Sequence, residues 1–521
     1  MAFNAYGSLA LAAALCVALP VAAADGDQIV TIAGGKVQGH ADKGATAFLG
    51  IPYGADTGGA RRFLPPAPAP AWPGVKVADL MGARCPQPPL NGPRKTPQVI
   101  LFAETPISED CLFLNVWTPK PGPGKRPVMV WLHGGGFAFG SAADKYYEGA
   151  NLSRGQDVVV VSLNHRLNAF GFVNLGPEAG PEYAASGDVG MLDIVQALQW
   201  VRDNIAAFGG DPDNVTIFGQ SGGGGKVTVL LAMPAAHGLF QKAIIESGAD
   251  IRVNTAEEAL TVRNHLLAAL NLKPEDAAKL KTVPMQDLIL AALKSGILTY
   301  RPMVDGAVLP AQPFDPVATT VSADVPVMVG TARDEATDML LADPAWPGMT
   351  DAQLEAKASA AFGDAHGKAV LALYRSRAPT DKPMHIWASI ITDQNMRNKA
   401  ITLASRKAAQ HAAPVYAYRI DWNSPVLGGI LRAPHGVELP FVFDNVDVSG
   451  ELVGAGPTHA RMAKLMSGMF AQFARTGNPN LAGYPHWPAY DDIRRATFIF
   501  DIPPHVVSDP DSKVRMFWGV P

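Results

Sequence analysis

The chain has 521 residues, of which 48% are hydrophobic and 17% charged, with a formal charge of −4 and a pI near 6.3. That balance excludes a disordered chain and a coiled coil, and supports a globular protein with a large core. No run of five or more basic residues occurs, so nucleic acid is not an expected partner.

Leu9 to Val21 is almost wholly apolar and is followed by Ala22-Ala23-Ala24. Small residues after a short apolar run predict a secretory signal peptide over residues 1–24, and hence a periplasmic or secreted protein. No Lys or Arg precedes the run, which leaves an uncleaved anchor as the competing reading. No other apolar stretch reaches spanning length, so no stable membrane insertion is expected after cleavage. Residues 25–521 retain two cysteines, Cys85 and Cys111. An even pair in an exported protein predicts one disulfide, and closing a loop of about 25 residues contributes roughly 3 kcal/mol on the chain-entropy model.

Pro-rich patches at residues 65–73, 86–97 and 119–127 read as rigid surface connections, and no linker or repeat divides the chain. Residues 25–521 are therefore expected to form a single domain. Pro127 to Leu132 reads as a strand and leads into His133-Gly134-Gly135-Gly136-Phe137. Val158 to Leu163 is rich in β-branched residues, as a strand buried on both faces should be. From Gly190 to Phe208, residues Leu192, Val195, Leu198, Val201 and Ile205 recur at helical spacing. Val215 to Phe218 is a third strand, running into Gly219-Gln220-Ser221-Gly222-Gly223. Residues 255–295 and 351–411 predict helical insertions, while Val325 to Gly330 and Val415 to Arg419 predict later strands. Strand, helix, strand in this order predicts an α/β protein with a large central, mostly parallel sheet flanked by helices.

Gly219-x-Ser221-x-Gly223 between a strand and a helix fits a nucleophile elbow, in which a serine sits on a strained turn above the sheet. With 51 glycines in the chain the pattern alone is weak, and its context carries the reading. The triple glycine after the first strand has a matching use. Acyl transfer places negative charge on the carbonyl oxygen, and backbone N–H groups of Gly135, Gly136 and Gly222 can stabilise it. A serine nucleophile needs a histidine base, and a carboxylate to hold that histidine. The α/β-hydrolase fold orders these Ser, acid, His. Of twelve histidines, His435 lies in the loop Ala433-Pro434-His435-Gly436, where catalytic groups gather. His265, His366, His385 and His411 fall in helical, surface-like patterns. Asp334 and Glu335 are both candidates for the acid, and periodicity does not separate them.

Together these segments resemble the type-B carboxylesterases, the family that includes the cholinesterases and the bacterial para-nitrobenzyl esterases. The resemblance runs from about Ile29 to the C-terminus. It rests on Glu109-Asp110-Cys111-Leu112-Phe113-Leu114-Asn115-Val116-Trp117, on Asn164-His165-Arg166-Leu167-Asn168-Ala169-Phe170-Gly171-Phe172, and on Gly187 through Gly209-Gly210-Asp211-Pro212 to Ser221. Pro302-Met303-Val304-Asp305-Gly306 and His435-Gly436-Val437-Glu438-Leu439-Pro440-Phe441 extend it. The resemblance implies an α/β-hydrolase fold and a serine carboxylesterase acting through an acyl-enzyme. It implies Glu335 as the acid, His435 as the base, Gly135, Gly136 and Gly222 as oxyanion donors, and a Cys85–Cys111 pair. It also implies Ser247 as a serine close behind the triad. Gln220 and Gly222 stand where the family has Glu and Ala, which removes a negative charge from the pocket floor. Amidases, peptidases and acyltransferases on the same fold share the triad and remain alternatives. A non-catalytic binding protein would lack the serine or the histidine. No metal or cofactor is expected, since neither a His-x-x-x-His helix nor a zinc-spaced cysteine cluster is present. The pocket is expected to be shaped by loops around residues 81–106, 296–303, 337–349 and 420–432.

Overall fold

The structure is a computed structural model that describes residues 28–88, 105–296 and 300–521. The expected signal peptide at residues 1–24 lies outside these, as does much of the loop 81–106.

A small sheet of β1 (Ile29–Ile32), β2 (Gly35–Gln38) and β5 (Val75–Val77) stands beside the main one. The main sheet contains β3 (His40–Asp42), β4 (Ala45–Pro52), β6 (Phe113–Thr118), β7 (Arg126–Leu132), β8 (Val159–Leu163), β9 (Gly210–Gln220) and β10 (Lys242–Glu246). It continues with β11 (Val327–Ala332), β12 (Val415–Ile420), β13 (Ala496–Phe500) and β14 (His505–Ser508). The order across it is β14-β13-β12-β11-β10-β9-β7-β8-β6-β4-β3. Strands β8, β7, β9, β10, β11, β12 and β13 pair in parallel, and antiparallel strands close both edges.

Alternation along a strand sends successive side chains to opposite faces. Val128, Val130 and Leu132 of β7 enter one apolar cluster with helix Val189–Asn204, while Met129 and Trp131 enter a second with helix Pro457–Thr476. Burial on both faces is why β7 and β8 read as unbroken apolar runs. The expected helix from Gly190 is present as Val189–Asn204, and a 3-10 turn carries it to Phe208 before Gly209, at φ 83°, ends it. The expected strand at Val325 begins two residues later, at Val327. Pro326 has no N–H for the ladder, although its carbonyl accepts from Ala243.

Helices Asp351–Phe362, Asp364–Arg377 and Pro383–Thr392 form a third apolar cluster around Trp346, Leu354, Val370 and Trp387. Cys85 and Cys111 are joined in a disulfide, with both residues buried. Among the described residues, no helix is long and apolar enough to cross a membrane.

Candidate active site

Strand β9 delivers Ser221 to the start of helix Gly222–Leu230 with φ 58° and ψ −124°. This backbone conformation costs a non-glycine residue on the order of 1–3 kcal/mol and persists only where its surroundings impose it. The Ser221 N–H donates to the Glu246 carbonyl at 2.8 Å, and the Ser221 carbonyl accepts from Gly225 at 3.0 Å. The flanking glycines are sterically required. A Cβ on Gly219 would lie 2.7 Å from the Leu132 carbonyl oxygen, and one on Gly223 would lie 2.0 Å from the same atom.

The glycine loop after β7 passes directly over that helix start. Gly135 and Gly136 take φ 89° and 63°, and a Cβ on Gly222 would lie 2.2 Å from the Gly136 carbonyl oxygen. The Gly135 carbonyl accepts from the N–H groups of Ala138 and Phe139 at 3.3 and 3.2 Å. The His133 ring nitrogen Nδ1 lies 2.8 Å from the Gly134 carbonyl. A carbonyl can only accept, so Nδ1 carries the proton. Burial, helped by the charge of Lys226, pushes the His133 pKa down to about 3, and the ring is neutral at ordinary pH.

His435 arrives from the loop after β12. Its Nδ1 lies 2.5 Å from Oε2 of Glu335, whose Oε1 accepts from the Ala332 N–H at 2.7 Å. Asp334 is engaged elsewhere, with its carboxylate 2.8 Å from Nε of Arg333 and 3.3 Å from the Ala433 N–H. The two acids that periodicity left equal therefore differ in contact: Glu335 meets the imidazole. The amide nitrogen of Gln220 lies 3.3 Å from both ring nitrogens of His435. The residue preceding Ser221 thus touches the ring. Burial alone would lower the His435 pKa, but the charge and hydrogen bond of Glu335, with Glu438 and Asp338 behind it, raise it above the usual value.

Ser247 Oγ donates to Glu438 Oε1 at 3.4 Å, so Ser247 reaches the triad region through a glutamate. Sequence reasoning did not assign a role to Glu438 or Glu246, which are both fully buried. Burial, then the nearby Glu335 charge, pushes Glu438 up to about 7, and burial with the Glu438 charge pushes Glu246 well above the carboxylate range. Lys226 was missed as well; it is fully buried within helix Gly222–Leu230. The available signal was an ionisable residue inside an apolar helical run, directly after four glycines. His385, expected at the surface, is buried, with Nε2 2.9 Å from the Ile430 carbonyl. Among the described residues, no group of His, Cys, Asp and Glu is placed to hold a metal ion.

A serine at a strand–helix elbow, a glycine loop above it and a buried histidine–carboxylate pair define a serine hydrolase site on an α/β-hydrolase sheet. The chain belongs to the carboxylesterase family, whose model matches residues 26–518. It is 37% identical over 499 residues to the para-nitrobenzyl esterase of Bacillus subtilis, covering 94% of this chain and 98% of that protein. The fumonisin B1 esterase of Sphingopyxis macrogoltabida is 34% identical, over 91% of this chain and 87% of that protein. Among solved structures, the Geobacillus stearothermophilus carboxylesterase EST55 aligns with a TM-score of 0.83 and 37% identity, over 94% and 99% of the two chains. The protein is accordingly a carboxylic ester hydrolase of the serine esterase type.

Proposed function

We propose that Ser221, His435 and Glu335 carry the reaction, with the N–H groups of Gly135, Gly136 and Gly222 as oxyanion donors. His435 Nε2 takes the Ser221 proton as Oγ attacks the ester carbonyl carbon. The carbonyl oxygen becomes an oxyanion held by the three N–H groups. The carbon–oxygen bond to the alcohol breaks, and the alcohol leaves with the proton held by His435. Water then attacks the acyl-enzyme by the same route and releases the acid. Glu335 accepts from Nδ1, fixes the tautomer and offsets the imidazolium charge. The observation that carries this reading is the 2.5 Å contact between His435 and Glu335, with Gln220 against the ring.

A base works only when unprotonated, and the His435 pKa is raised. The acid limb of kcat/KM should therefore have its midpoint above pH 6.5. A kcat/KM profile on a neutral ester checks this, and a midpoint below 6.5 would contradict it.

The substrates we propose are small-molecule esters with uncharged alcohol groups. Support comes from Gln220, a neutral amide directly before Ser221 with its nitrogen 3.3 Å from the His435 ring. Acetylcholine and its uncharged carbon analogue, 3,3-dimethylbutyl acetate, should give kcat/KM values within about threefold, which corresponds to less than about 0.7 kcal/mol of discrimination. An advantage of tenfold or more for acetylcholine would refute the reading. We also propose that residues 1–24 are removed on export and that 25–521 are the catalytic domain, with helical insertions around 255–295 and 351–411. The short apolar run and the Cys85–Cys111 disulfide support this. The intact mass of the protein from the periplasm or medium tests it, and retention of residues 1–24 would contradict it.

A further inference from the structure

The oxyanion loop is held from beneath by a residue outside the triad. The fully buried Lys226 places Nζ 3.0 Å from the His133 carbonyl and 2.7 Å from the Gly136 carbonyl. Those carbonyls bracket the two peptides whose N–H groups belong to Gly135 and Gly136. In a planar trans peptide the C=O and N–H point in opposite directions. A bond that fixes a carbonyl therefore also aims the next N–H. Gly134 and Gly135 carbonyls are fixed by the His133 ring and by the Ala138 and Phe139 N–H groups. Lys226 fixes the carbonyls on either side, which completes a run of four.

Lys226 lies four residues after Gly222, on the same helix face. At Gly222 the missing side chain lets the loop descend, since a Cβ there would lie 2.4 Å from both Cα and N of Gly136. The glycine leaves room for close contact, and the lysine ties the loop in that position.

We propose that Lys226 is a positioning residue that holds the Gly135 and Gly136 N–H groups in register for the oxyanion. This rests on the reading of those glycines as oxyanion donors. Burial pushes the Lys226 pKa down to about 7, with Asp250 opposing. Neither form loses the clamp, because a neutral amine still has two N–H bonds for two carbonyls. The Lys226 side chain also packs on the loop itself, with Nζ 5.3 Å from the centre of the Phe137 ring.

The test pairs Lys226→Met, which keeps the length and removes the donors, with a trifluoromethyl ketone that Ser221 converts to a tetrahedral oxyanion adduct. In the parent enzyme, that ketone should bind at least 100-fold more tightly than the matching methyl ketone. If it does not, the oxyanion assignment itself falls, and this proposal with it. With that preference present, Lys226→Met should lose about 10- to 100-fold in kcat, with KM changed less than threefold. Its affinity for the trifluoromethyl ketone should fall by the same factor as kcat/KM. A residue that only supports the fold would lower Tm and leave both kcat and ketone affinity, measured per folded enzyme, within twofold of the parent. A folded Lys226→Met with kcat within twofold of the parent, or one that loses kcat while keeping ketone affinity, overturns the proposal. Lys226→Ala, read by the same criteria, decides the matter if the Met variant does not fold.

Discussion

Ser221→Ala should lower kcat on a para-nitrophenyl ester by roughly a millionfold, the scale seen when a triad nucleophile is removed. The fold should persist, because what shapes the elbow is backbone. The Ser221 N–H to Glu246 carbonyl bond and the two flanking glycines are unaffected by the change. Alanine at φ 58° carries the same strain as serine, so Tm should stay within a few degrees. Residual turnover above water, about 1000- to 10,000-fold, can come from the oxyanion donors and binding alone. Steady-state kinetics on the purified variant checks this, and turnover within tenfold of the parent would remove Ser221 from the mechanism.

Glu335→Gln should cost roughly 10,000-fold in kcat, with little change in KM. The carboxylate has two partners. Oε1 accepts from the Ala332 N–H, and Oε2 faces Nδ1 of His435. A glutamine has one acceptor oxygen, and the buried Ala332 N–H needs it. The amide NH2 is then left facing Nδ1, which must accept. The ring proton moves to Nε2, the nitrogen that has to receive the serine proton. Removing the carboxylate also removes the main influence that raises the His435 pKa, so the residual activity should show its acid limb shifted to lower pH. Asp334→Asn is the control. Asp334 serves Arg333 and the Ala433 backbone, and its variant should retain activity within tenfold. The reverse ranking in kcat measurements would make Asp334 the acid.

The features legible in the sequence are those written in neighbouring residues. β7 and β8 show as unbroken apolar runs because both faces are covered, and the elbow shows because Gly219 and Gly223 leave no room for a Cβ against Leu132. The choice between Asp334 and Glu335 needed tertiary structure, since adjacent carboxylates differ only in what they meet. Glu335 directly precedes helix Ala336–Leu340 and faces His435, while Arg333 occupies Asp334. Family resemblance pointed to Glu335, but the residues alone did not.

The buried ionisable groups were the hardest to foresee. Glu246 ends a strand and Lys226 sits in a helix, and neither received a role from the residues around it. Both are fully buried, and the groups Lys226 meets, the His133 and Gly136 carbonyls, lie 93 and 90 residues away in the chain. His385 misled in the same way, lying on a helix whose outer side is covered by the segment around Ile430.

Everything proposed for the chemistry depends on His435 making Ser221 a nucleophile, and a fluorophosphonate probe reads that directly. Peptide mass mapping should place one phosphonyl group on Ser221, with the labelling rate falling at least 1000-fold in His435→Ala. A label on another residue, or labelling of Ser221 at an undiminished rate without the imidazole, would contradict the account.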